Sequence, residues 1–365
     1  MTSKGILTIA SSVLGSTLLL AQGQAPAGVS VQAPQDAREP ALLAQCKNPP
    51  PPPPARGGGQ GGGARGQGTG RAGAPAAGLR DYTVTDISGV IAAGQQWKFI
   101  WEQLGNNGDG IVGTDDGGLL IAQNDSSAVV KLDKDGKASV VYTGTNTGGA
   151  LSMNKKGALF INERGFKASI VQLAPQRKVL ADTYQGDPFD CMGGVLNDLV
   201  ADSRGGAYFT MGGLFYADSK GVVTKYGTDV RTNGVILSPD EKVLYVTNGA
   251  TLAAFDVQKD GSLTNQREFA KLEAGGNGDG SIIDSMGRIY VTTAPGVQVF
   301  GPDGKYLGLI PTPRGVISCA FGGKDKKTLF ILARGTKDKD GNEVANAAQV
   351  WSIQTIAQGY KGRAK

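Results

Sequence analysis

A chain of 365 residues with 57 glycines, 19% charged residues and no histidine is long enough for one large all-β domain with extra segments. The missing imidazole excludes Ser-His-Asp and Cys-His catalysis, His-ligated zinc and His-ligated haem, so any metal must rest on oxygen donors, which suit a hard cation. Three cysteines, Cys46, Cys191 and Cys319, with no CxxC pair, exclude a dense disulfide framework and a four-cysteine zinc site.

The first segment, residues 1–25, has the order of an export signal: Lys4, then an apolar run from Ile6 to Leu20, then the small residues of Ala21–Ala25. That apolar run is short for a membrane span. The chain is therefore expected to be exported to the periplasm or the extracellular space, with no transmembrane anchor once the signal is removed.

Residues 26–80 read as a disordered Pro/Gly/Arg-rich linker. It contains a proline run and glycine repeats that cannot bury apolar surface. From Lys47 to Arg80 it carries Lys47, Arg56, Arg65, Arg71 and Arg80 and no acid, which accounts for the chain's formal charge of +5. Such a tether suits contact with an anionic surface or simple solvation. It lacks the aromatic interleaving of a specific nucleic-acid binder.

From Asp81 to Lys365 one pattern returns six times. Apolar strand cores stand at Leu119–Ile121, Leu159–Ile161, Ala207–Phe209, Leu244–Val246, Ile289–Val291 and Leu329–Ile331, spaced 40, 48, 37, 45 and 40 residues apart. This is the period of a four-stranded propeller blade. The spacing predicts an all-β, six-bladed β-propeller over 81–365, expected to be a monomer, closed by a strand from 81–100 or from Ala348–Ile353. The polar tail Gln354–Lys365 is expected to fray, and Cys191 and Cys319 are expected either to pair or to stay as thiols.

Counting back about ten residues from each core reaches one equivalent position per blade: Asp109, Gly149, Asn197, Asn233, Asp279 and Gly315. Four carry short oxygen-bearing side chains, the donor type of a hard cation. Asp-Gly and Asn-Gly pairs are also common turn signals, so the shared register is what separates these residues from Asp135, Asp260 and Asp303.

At these residues the chain resembles the senescence-marker-protein/gluconolactonase/luciferin-regenerating-enzyme family. The resemblance lies in Lys178–Gly186, Asn197–Thr210, Asn233–Thr247 and Asp279–Val291. It implies a divalent metal, most often Ca²⁺ and otherwise Zn²⁺, Mg²⁺ or Mn²⁺, on Asn197, Asn233 and Asp279. Asp109 replaces the family's glutamate as the fourth ligand. It further implies a hydrolase acting on a small-molecule lactone or ester, with Asp279 as catalytic base. Cys191–Asp198 departs from the family's pattern, and Val195 and Met211 make the pocket more apolar. Glu163 and Arg164 are candidate substrate contacts. An organophosphate hydrolase and a non-catalytic binding propeller plugged by its metal are the alternatives.

Overall fold

Alternating Gly-containing turns and short apolar strands leave no room for long helices, and the strands assemble as six four-stranded antiparallel sheets. The computed structural model describes residues 36–49 and 78–365. The expected signal peptide, 1–25, and most of the linker lie outside the described residues.

Blade 1 comprises Gly108–Gly113, Leu119–Gln123, Ala128–Leu132 and Ala138–Thr143. Blade 2 comprises Leu151–Met153, Leu159–Glu163, Ser169–Ala174 and Lys178–Ala181. Blade 3 is Leu199–Ala201, Ala207–Thr210, Leu214–Ala217 and Val223–Tyr226, and blade 4 is Thr232–Leu237, Val243–Asn248, Thr251–Val257 and Leu263–Lys271. Blade 5 contains Ser281–Ile283, Ile289–Thr293, Gly296–Phe300 and Tyr306–Pro311. Blade 6 contains Val316–Gly322, Thr328–Lys337, Glu343–Gln354 and, as its outermost strand, Lys98–Leu104.

The six apolar triplets all lie on second strands, and the first and third residue of each is at most 2% exposed. Each face packs on the next blade, so the large side chains leave water, worth roughly 1.5–3 kcal/mol apiece. The turn into each second strand is closed by a side-chain oxygen. Asp202 Oδ1 accepts from Arg204 N and Gly206 N at 2.9 Å, and Asp284 Oδ1 does the same for Met286 N and Arg288 N. Asn154 and Ser238 hold the same place in blades 2 and 4. These short polar side chains satisfy backbone donors that the tight turn leaves unpaired.

Innermost strands of successive blades touch in order, and blade 6 returns to blade 1. Closure is made by Lys98–Leu104 pairing with Glu343–Gln354, with Phe99 packed edge-on against Trp351 at 5.4 Å. The N-terminal candidate for the closing strand is thus the outer one, overlapping the expected 81–100 only at its end and running on to Leu104. The other candidate, Ala348–Ile353, lies in blade 6's third strand.

Three expectations are corrected. Cys191 pairs with Cys46, not Cys319. Cys319 lies mid-strand in blade 6, 1% exposed, where burial pushes its thiol pKa up. Part of the linker is ordered: Lys47 N and Asn48 N donate to the Asp187 carboxylate at 2.8 and 3.0 Å, and the Arg38 guanidinium lies 4.5 Å from the Phe166 ring centroid. The tail does not fray either. Gly359 bridges to Asp284 and Ala364 to Met153, which carries the tail across the far ends of the inner strands. There Arg363 Nη2 donates to Leu237 O at 2.5 Å, and Lys365 Nζ reaches Val235 O at 2.8 Å.

Candidate active site

Each residue that the repeat count selects lies within two residues of the start of its inner strand. Asp109 and Asn233 are the second residues of Gly108–Gly113 and Thr232–Leu237, while Asn197 and Asp279 stand two residues before Leu199–Ala201 and Ser281–Ile283. The Asp-Gly and Asn-Gly pairs here are not hairpin turns. The glycine after Asp109, Asn233 and Asp279 is where one blade touches the next. A Cβ on Gly110 would lie 2.6 Å from Gly149 O, one on Gly280 would lie 3.0 Å from Ile317 O, and one on Gly234 would collide with Asp279 O.

Asp109, Asn197, Asn233 and Asp279 line one shared space at the axis, with Ser318 beside them and Lys365 reaching up from the tail side. The free volume is about 10 Å³, room for a single ion or water. Anything larger would have to sit above the ring rather than within it. Burial, then the neighbouring Asp109 charge, push the Asp279 carboxyl up to about 7, with Arg334 opposing and Asp198 adding to the shift. A cation placed between these carboxylates would offset both penalties.

Among the described residues no group of three or more carboxylates, cysteines or histidines is arranged to hold a metal ion by itself. The ring is half amide instead, a low-charge oxygen set that fits a hard divalent ion with open positions.

A further set of residues fixes the ring, and the sequence reading missed it. Three positions after the start of each apolar triplet, blades 2, 3 and 5 carry Asn162, Thr210 and Thr292. Each reaches the backbone of the next blade at its ring position or, for Thr292, two residues beyond it. Asn162 Nδ2 donates to Asn197 O at 2.9 Å, Thr210 Oγ1 to Asn233 O at 2.6 Å and Thr292 Oγ1 to Ile317 O at 2.8 Å. Thr210 Oγ1 also accepts from Asp198 N at 3.0 Å. The recurrence of a polar residue inside an otherwise apolar strand was the available signal.

Asp198 takes the place that glycine holds after Asp109, Asn233 and Asp279. Its carboxylate accepts from Leu199 N and Val235 N, both at 2.8 Å, and pairs with Lys365 Nζ.

Glu163 and Arg164 part company, because neighbouring strand residues face opposite ways. Glu163 points away from the ring and pairs with Arg177 at 2.5 Å, burial raising its carboxyl pKa. Arg164 turns inward through the space that Gly149 leaves, pairing with Asp109 and donating to Asn197 O. Blade 6 offers a parallel: Gly315 is its ring position, and Arg334 N donates to Gly315 O at 3.0 Å.

The SMP-30/gluconolactonase/LRE-like family model matches residues 108–334. A gluconolactonase of Zymomonas mobilis is 27% identical over 286 residues, covering 67% of this chain and 78% of its own length. A solved gluconolactonase from Xanthomonas campestris superposes with a TM-score of 0.62 at 21% identity, over 77% of this chain and 98% of that one. A calcium-binding regucalcin structure from Agrobacterium tumefaciens gives 0.57 at 19% identity, over 74% and 97%. The match spans blades 1 to 5 and the first two strands of blade 6, and the chain belongs to the SMP-30/gluconolactonase/LRE-like family.

Proposed function

We propose that this propeller is an exported, metal-dependent hydrolase of a small lactone or related ester. The observation that carries the reading is the convergence of Asp109, Asn197, Asn233 and Asp279 on one ion-sized space where six inner strands meet. The family's lactonases and its calcium-binding regucalcin support it.

These four residues would hold one divalent ion, most naturally Ca²⁺. When bound, such an ion polarises a carbonyl oxygen and acidifies water. The chain's own residues do the rest. Asn162 and Thr210 donate to the main-chain carbonyls of Asn197 and Asn233, which fixes the backbone from which the two amides project. Asp279 is the carboxylate placed to accept the proton of an attacking water above the ring. The Cys46–Cys191 disulfide, with the export grammar of residues 1–25, supports an oxidising, extracytoplasmic setting.

The test is hydrolysis of a lactone panel by the metal-loaded chain before and after chelation, with metal analysis alongside. Chelation should abolish turnover, Ca²⁺ should restore it, and Asp279→Ala should lose the metal. Full turnover in excess chelator would overturn the reading.

A further inference from the structure

Two blades place glycine at the ring, and both bring an arginine to that end from the second strand, Arg164 in blade 2 and Arg334 in blade 6. The two arginines differ in what they meet. Arg164 fills the Gly149 space and is committed to Asp109 and the Asn197 carbonyl. Nothing comparable fills the Gly315 space: a Cβ there would meet only Arg80 Nη2, at 3.5 Å. Arg80 stands at this rim because its N donates to Pro313 O at 2.9 Å and its Nη1 to Ala294 O at 2.6 Å. No hydrogen bond or ion pair among the described residues engages the Arg334 guanidinium, although its charge is felt at Asp279.

The charges around the ring make the same point. Asp109 is matched by Arg164 and Asp198 by Lys365, leaving Asp279 alone to offset Arg334 and any bound divalent cation. The rim over Gly315 is therefore electropositive and open, next to the place where a substrate must sit. A planar guanidinium without a partner is suited to a carboxylate, which it can grip through two parallel hydrogen bonds.

Building on the lactonase reading, we infer that Arg334, with Arg80 across Gly315, is a specificity subsite for an anionic group, and that the preferred substrate is a lactone bearing a carboxylate. Arg334 is the binding residue and Arg80 its support. Blade 2 has no equivalent subsite, because Arg164 is already spent on Asp109.

The test measures binding, so it does not depend on turnover. A tetrahydrofuran carboxylate and the matching carboxamide, both non-hydrolysable lactone mimics, are titrated calorimetrically into the full chain in Ca²⁺ buffer. The carboxylate should bind about tenfold tighter, the gain from one charge-assisted contact. Arg334→Gln should bring the ratio close to one, Arg334→Lys should keep part of it, and Arg80→Gln should reduce it. Equal binding of the two mimics by the native chain, binding of neither, or a ratio unmoved in Arg334→Gln would each overturn the subsite. Failure of the lactonase reading is seen separately, as hydrolysis that survives chelation.

Discussion

Arg164 pairs with Asp109 across a space that exists only because residue 149 is glycine. The pair puts a guanidinium on one of the four oxygen donors of the ring, so Arg164 and a divalent ion compete for the same carboxylate. Arg164→Gln should tighten Ca²⁺ binding by about tenfold, the scale of one released charge interaction, as read by calorimetry. An unchanged affinity would show that Asp109 is not shared.

Gly149→Ala is the complementary change. Its methyl group would collide with the Arg164 guanidinium, in a region with no slack. A loss of about 1–3 kcal/mol is expected from such overpacking, measured by denaturant unfolding. Wild-type stability would mean that Arg164 can leave its seat without cost.

Thr210 joins two ring elements through one hydroxyl, accepting from Asp198 N and donating to Asn233 O. Thr210→Val keeps the shape and removes both bonds, at a cost of roughly 1–3 kcal/mol for the buried groups left unpaired. Metal affinity should fall along with stability, and Thr210→Ser should restore both. A valine variant that binds Ca²⁺ like the native chain would remove Thr210 from the site's support.

The tail's last turn carries charge into the interior. Lys365→Met would strand Asp198, only 5% exposed, without its cation. A loss of roughly 3–5 kcal/mol follows from breaking a buried pair on one side, measured by urea unfolding.

Glu241 adds a pH signature to the same tail. Burial alone would raise its pKa, but Ser203, Arg363 and Lys155 together lower it. A carboxylate with a depressed folded pKa stabilises the fold above its ordinary pKa and loses that contribution as pH falls through the folded value. Acidification below the usual carboxylate range should therefore weaken the native chain more than a Glu241→Gln variant. Parallel acid-unfolding curves would contradict this.

Thiol chemistry should follow the burial pattern. The native chain should show no reactive thiol, the unfolded and unreduced chain one, from Cys319, and the reduced chain three. Cys46→Ser should cost about 2–4 kcal/mol by freeing a long loop in the unfolded state. Two thiols titrating in the unreduced, unfolded variant would place the remaining free sulfurs at Cys191 and Cys319.

Much of this protein can be read along the chain because a propeller is a local repeat. Each blade's second strand needs an apolar triplet, and in the first five blades the ring position stands about ten residues before it. Leu119–Ile121 thus points to Asp109, Ala207–Phe209 to Asn197 and Ile289–Val291 to Asp279 without any three-dimensional information. The closing strand is harder to place, because Lys98–Leu104 pairs with Glu343–Gln354 across nearly the whole propeller and no local period marks that partnership.

The remaining features depend on distances that spacing does not encode. Cys46 meets Cys191 over 145 residues of chain, and nothing near either cysteine announces the other. The polar tail looked solvated, yet Arg363 and Lys365 are buried because the far end of the ring offers unpaired carbonyls and Asp198. Glu163 and Arg164 are neighbours in sequence and opposites in space, since strand geometry sends alternate side chains to opposite faces. Ring positions follow from a period along the chain. Which charge faces which, and which arginine is left open, are decided only when six separate blades close on one axis and bring their ends within a hydrogen bond of one another.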